Sequence, residues 1–274
     1  MFFTILKVIV VMAVVSASAI IIKDEIVWQF GSESSINDTS NDSCNVAGIV
    51  LSGSLVTYIS PADYDLDGNL LVDETASEDV VFAISEAENN YNIKAIVLEI
   101  DSYGGSPVGA EEIGNALKSA KKPTVALIRG VGVSAGYWAA TGADRIFASK
   151  NSDVGSIGAT MSYLDNAKQN QKEGFTYNQL SSGKFKDAGD PDKALSPEET
   201  KLFMRDINIL HQNFIKTVVE NRDLDLKKVE VLADGSSMLG EMALVNGLID
   251  QIGGEAEALE YLESQLNEQV EICW

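Results

Sequence analysis

The apolar run Thr124–Ile128 passes through Arg129 into Gly130-Val-Gly-Val-Ser134-Ala-Gly-Tyr-Trp138, and a segment with helical spacing follows. A short apolar run bounded by turn residues reads as a buried strand. Strand, small-residue turn and helix in that order point to a layered α/β fold. The pattern repeats upstream. Lys94–Ile100 is a second buried strand, ending in Asp101-Ser-Tyr-Gly-Gly-Ser-Pro107, and Gly109–Ala120 is a helix stopped by Lys121-Lys-Pro123. Val46–Leu51 reads as a strand, Glu78–Asn90 as a helix and Asp144–Ala148 as a short strand. Glycine turns at the same end of successive strands are where α/β folds gather their functional loops.

Two of those turns carry chemistry. Small residues on both sides of Ser134 let the backbone turn sharply and leave the hydroxyl uncrowded. A serine at a helix start sits among N–H groups with no intrahelical partner, where an oxyanion can be held. Gly104-Gly105 can likewise present bare N–H groups to a ligand. The plain alternative for each is an ordinary tight turn.

A serine nucleophile needs a base, and His211 is the single histidine. It lies beside Leu210 within a long helix that Ser196-Pro-Glu-Glu199 opens and that runs to about Asn221. Phe203, Ile207, Leu210, Phe214 and Val218 form its expected buried stripe, so His211 is expected to pack against the core edge. Triad histidines normally ride on loops, which leaves the serine with another base. A lysine serves if it is neutral, which requires its pKa to fall by roughly 3 units from about 10.4 through burial. Lys184 and Lys186 flank Phe185 in a small-residue loop.

The formal net charge of −21 repels phosphate backbones and argues against a nucleic-acid partner. Two cysteines, Cys44 and Cys273, form no zinc pattern. They either pair as a disulfide outside the cytosol or remain two thiols near the chain ends.

Residues 1–23 are apolar through Ile22, broken by Thr4, Lys7, Ser16 and Ser18. The stretch is long enough to span a bilayer. A cleaved signal segment ending at Ala17-Ser-Ala19 is the alternative, and Ile20-Ile-Ile22 favours the anchor. Residues 24–44, rich in Ser, Asn and Asp, read as a tether, and residues 45–274 as the folded domain. Within it, the loop 63–74 fits the calcium-loop template: Asp63, Asp65 and Asp67 at alternate places, then Gly68, Asn69 and a closing Glu74. A structural Ca2+ is expected there, or else an acidic solvated hairpin tip, since Ser60-Pro61 leaves no entering helix.

Four linked motifs then resemble one family. Asp101-Ser-Tyr-Gly-Gly105, Val133-Ser-Ala-Gly-Tyr-Trp138 with Gly142-Ala-Asp-Arg-Ile146, Val154-Gly-Ser-Ile-Gly158 and Ser182-Gly-Lys-Phe-Lys-Asp187 are similar, in order, to the signal peptide peptidase A (protease IV) family of bacterial membrane serine proteases. The likeness covers roughly Val46–Gly254. Tyr103 stands where the family has a proline, and Ala135 where it has a glycine. The resemblance implies a ClpP/crotonase-like α/β fold of repeated strand–strand–helix units behind an N-terminal transmembrane helix. It implies a Ser-Lys dyad with Ser134 as nucleophile and Lys186 as general base. Ser156 would orient the lysine, the N–H groups of Gly105 and Ser134 would form the oxyanion hole, and Lys184 would be a bystander. It further implies a ring-shaped homo-oligomer, an octamer, with serine and lysine from neighbouring protomers. No cofactor is implied for catalysis. The expected substrates are cleaved signal peptides and other extended apolar peptides. The expected location is the cytoplasmic membrane, single-pass, with the catalytic domain on the extracytoplasmic side. The rival readings are a Ser-His esterase using His211, a crotonase-like acyl-CoA enzyme, for which no basic patch is evident, and a non-catalytic membrane scaffold.

Overall fold

The computed structural model describes residues 44–274 apart from Tyr64 and Leu66–Gly68. The expected anchor, the tether up to Ser43 and Asp67 of the acidic loop lie outside the described residues. The strands are β1 (Val46–Val56), β2 (Glu74–Ala76), β3 (Ala95–Gly105), β4 (Thr124–Val133), β5 (Arg145–Ala148), β6 (Asp153–Gly155), β7 (Ser237–Leu239), β8 (Gln251–Ile252) and β9 (Ile272–Cys273). The helices are α1 (Ser77–Asn89), α2 (Pro107–Ser119), α3 (Ala135–Ala140), α4 (Ala167–Glu173), α5 (Pro197–Arg222), α6 (Leu226–Leu232), α7 (Gly240–Asn246) and α8 (Glu255–Leu266).

The sheet runs β2-β1-β3-β4-β5-β8, with every neighbouring pair parallel. Parallel neighbours require crossover connections, and helices supply most of them. Side chains alternate across β3: Ile96, Leu98 and Ile100 enter the larger core with residues of α1, α2, α3 and α5. Ala95 and Val97 enter a smaller core against Ala258 and Leu262 of α8. Burial on both faces is why these strands read as continuous apolar runs.

Three strands continue past the ends expected from their apolar runs. Pairing carries through the glycine turns, with Leu55 opposite Gly105 and Ser102 opposite Gly132. Register shifts between Ser52 and Ser54, and between Ile100 and Ser102, accommodate the extension. Hydrogen bonding to neighbouring strands overrides the turn preference of glycine, a term that apolar periodicity does not contain. The extension brings Gly104-Gly105 and Ser134 to one end of the sheet.

Helix α5 begins as expected. Ser196 Oγ accepts from Glu199 N at 3.2 Å, Glu199 Oε2 accepts from Ser196 N at 2.8 Å, and Pro197 takes the first helical position. Its expected stripe is only half buried. Phe214, Ile215 and Val218 are in the core, whereas Phe203 and Ile207 are partly covered and Leu210 is exposed. Periodicity along a helix does not tell how far the helix overlaps the core.

Cys44 and Cys273 are joined as a disulfide, with Cα atoms 5.5 Å apart. β9 lies parallel to the start of β1, pairing Cys273 with Ala47.

Candidate active site

Ser134 adopts φ 52° and ψ −126°, between the end of β4 and the first residue of α3. A non-glycine residue in such a conformation persists only when its surroundings enforce it. Its N–H donates to Gly155 O at 2.8 Å, and its carbonyl accepts from Trp138 N at 2.9 Å. On the other side stands Gly104, at φ 105°, with Ala135 N close by: a Cβ added to Gly104 would meet that nitrogen at 2.9 Å. Ser102 Oγ donates to Gly53 O at 2.6 Å and accepts from Gly104 N at 3.1 Å, which fixes this turn between β1 and Ser134.

One expectation is corrected here. The Ser134 N–H was to be half of the oxyanion hole, but it is committed to Gly155 O. The N–H of Ala135, first residue of α3 and without an intrahelical partner, lies close to Gly104 instead. The Ser134 N–H is taken because β6 pairs with the end of β4, matching Val133 with Gly155.

Ser134, Gly105 and Ser156 line one cleft of about 540 Å³ together with His211 and Asp234. Ser156 also has positive φ, 51°, and its hydroxyl donates to Gly235 O at 2.9 Å. With its proton so engaged, that oxygen offers lone pairs to a donor entering the cleft.

His211 is half-buried with its Nε2 buried, as a core-edge residue would be, and it also lines the cleft. Only the C-terminal half of α5 is anchored in the core, so the turn carrying Leu210 and His211 is left to line the cleft as well. Asp234 and Gly235 were not singled out from the sequence. The signal available was the short polar turn Asp234-Gly-Ser-Ser237 between two apolar segments.

Lys186 is exposed, in a turn where its N–H donates to Gly183 O at 3.1 Å, and it is not among the residues lining the cleft. Lys184 Nζ lies 5.0 Å from the centre of the Phe185 ring. The next residue, Asp187, ties this segment down: it accepts from Tyr177 OH at 2.6 Å and lies 3.8 Å from Lys193 Nζ. The hydrogen bond to Asp187 pushes the Tyr177 phenol pKa up. Lys193 Nζ in turn lies 2.5 Å from Glu199 Oε1. That hydrogen bond, reinforced by the Ser196 N–H, lowers the Glu199 pKa to about 2.

In the acidic loop, Asp63 ends a single 3-10 turn, Asp65 accepts from Asn69 N and Nδ2 at 2.8 and 2.9 Å, and Glu74 opens β2. Among the described residues, no cluster of His, Cys, Asp or Glu is arranged to hold a metal ion. No helix among them is long and apolar enough to cross a membrane.

The model of peptidase family S49 matches residues 116–269, a segment holding Ser134, Ser156, Lys186 and His211. A Methanocaldococcus jannaschii protein with a provisional protease name is 32% identical over 186 residues, covering 67% of this chain and 60% of its own length. An Enterococcus faecium protein, provisionally named signal peptide peptidase SppA, is 31% identical over 185 residues, covering 66% of this chain and 54% of its own. The chain thus spans a little over half the length of these relatives. Among solved structures, the N165D mutant of ClpP1 from Listeria monocytogenes shares the fold, with a TM-score of 0.51 at 13% identity, over 77% of this chain and 92% of that one.

Proposed function

The chain belongs to peptidase family S49, and from that footing we propose that it is a serine endopeptidase working through Ser134 and Lys186. The observation that carries this reading is the setting of Ser134. Its strained backbone at the start of α3 places the side chain in a cleft, beside Gly104-Gly105 and the unpaired N–H of Ala135. Such an arrangement suits attack on a carbonyl and storage of the negative charge that results.

A neutral Lys186 Nζ takes the Ser134 Oγ proton as Oγ bonds to the peptide carbonyl carbon. The oxyanion rests on Gly105 and Ala135 N–H. Lys186 returns the proton to the leaving amine as the C–N bond breaks, and water then hydrolyses the acyl-serine by the same route. Ser156 Oγ, its proton engaged by Gly235 O, is the acceptor that would orient the lysine. Because Lys186 stands outside its own cleft, the amine comes from a neighbouring protomer in a ring, taken as an octamer. Residues 1–23 anchor the chain in the cytoplasmic membrane, with the domain on the extracytoplasmic side. The substrates are cleaved signal peptides and other extended apolar peptides. A structural Ca2+ in the 63–74 loop belongs to the same reading and is tested by the melting temperature of chelated protein with and without added calcium.

A second reading, Ser134 with His211 as base, gains support from the presence of both in one cleft. Fluorophosphonate labelling of Ser134 and turnover of a defined signal peptide separate the alternatives. Lys186→Ala is expected to abolish turnover in a folded protein while His211→Ala retains labelling. Equal loss of both signals in both variants returns the base to histidine, and an unlabelled wild type leaves a non-catalytic scaffold.

A further inference from the structure

Between the ladder pairs Ser52–Asp101 and Ser54–Gly104, β1 contributes one residue, Gly53, and β3 contributes two, Ser102 and Tyr103. Such a bulge takes backbone groups out of the ladder and re-aims the strand beyond it. The side chain of Ser102 fills the gap. It is fully buried, and its Oγ donates to Gly53 O at 2.6 Å while accepting from Gly104 N at 3.1 Å. Helix α3 lies against it: a Cβ on Gly136 would meet Ser102 Cβ at 3.2 Å and Oγ at 3.5 Å. One hydroxyl therefore joins β1 to the Gly104-Gly105 turn, underneath the helix that begins beside Ser134. Gly104 and Gly105, at φ 105° and 148°, have no side chains to wedge them in place. Tyr103 does not lock the backbone before them as a proline would.

We propose that Ser102 is a positioning residue whose hydroxyl holds the Gly104-Gly105 turn at the angle from which it receives the oxyanion formed at Ser134. This rests on the reading of Ser134 as nucleophile. Ser102 touches no substrate; it acts by keeping the Gly104 N–H turned inward, which fixes the plane of the peptide that follows. Donors stabilise a developing charge only when they are already aimed at it. A misplacement near 1 Å can cost about a hundredfold in rate. The effect belongs to the transition state, so kcat falls and KM does not follow.

The test uses the full chain, a fluorogenic peptide, and two inhibitors of one peptide sequence: an aldehyde, to whose carbonyl carbon Ser134 Oγ adds reversibly, and the matching alcohol, which binds without addition. In Ser102→Ala, kcat and aldehyde affinity are each expected to fall at least about tenfold, while KM and alcohol affinity stay within about twofold. Thr124→Val is the structural control. Thr124 is also buried, and its Oγ1 donates to Asp144 Oδ2 at 3.0 Å and accepts from Asp144 N at 2.9 Å, at the opposite end of β4 from Ser134. It is expected to lower Tm and leave both inhibitors' affinities unchanged. If Ser102→Ala does not fold, Ser102→Cys, with a weaker donor and acceptor of similar size, is read the same way. Unchanged kcat and aldehyde affinity, an equal loss of aldehyde and alcohol, or the same aldehyde loss in Thr124→Val overturns this proposal alone. Wild type that neither labels with a fluorophosphonate nor binds the aldehyde better than the alcohol overturns the nucleophile reading and this proposal with it.

Discussion

A Cβ placed on Gly104 would stand 2.7 Å from the Cβ of Ser134 and 3.1 Å from its Oγ. Bare backbone on β3 is therefore what leaves room for the serine at the end of β4. Gly104 also has φ 105°, where an L side chain is strained. Gly104→Ala is expected to cost about 1–3 kcal/mol of stability and to cut fluorophosphonate labelling by two orders of magnitude or more, about what loss of an oxyanion donor does. Denaturant titration and labelling kinetics on one preparation read both. Labelling at the wild-type rate would show that the two residues are not coupled.

Ser134 and Lys186 do not share a cleft within one chain. Each of Ser134→Ala and Lys186→Ala is expected to lower peptide turnover by at least roughly 10²–10⁴-fold. On the proposal that neighbouring protomers share the site, a mixture of the two variants is expected to regain turnover, since some junctions then pair an intact serine with an intact lysine. A mixture no more active than either parent places both groups in the same protomer.

The lysine-bearing segment is held by Asp187, Lys193 and Glu199. Lys193 holds the Glu199 pKa at about 2, below its usual 4.5, because it favours the charged carboxylate. A depressed carboxyl pKa contributes stability above the unfolded value, and that contribution is lost as pH falls through the folded value. Wild type is thus expected to exceed Glu199→Gln in urea midpoint at pH 7, with the gap closing between about pH 4.5 and 2. A gap that stays constant over this range would rule out the ion pair as its source.

The Cys44–Cys273 bridge spans a sequence separation of 229. Closing so long a loop restricts the unfolded chain and typically contributes about 2–4 kcal/mol. For a domain of this size, Cys273→Ser is expected to lower Tm by roughly 5–15 °C. Unreduced wild type should titrate with no free thiol. Two free thiols in protein kept under air would remove the bridge from the native state.

The layered α/β class, the strands at Ala95, Thr124 and Arg145, the capped start of α5 and Ser134 at a strand-to-helix turn were all legible in the residues. Each rests on local terms: side-chain alternation, a serine that can cap, glycines that free the backbone. The tertiary structure alone decided three further matters. The Ser134 N–H is engaged by Gly155, because β6 pairs with the end of β4. His211 lines the cleft as well as the core edge, because α5 is anchored in the core only along its C-terminal half. The cysteines meet, because β9 returns to the start of β1. All three depend on contacts between segments far apart in the chain, whose geometry is set by packing around the whole sheet and leaves no trace in the spacing of neighbouring residues.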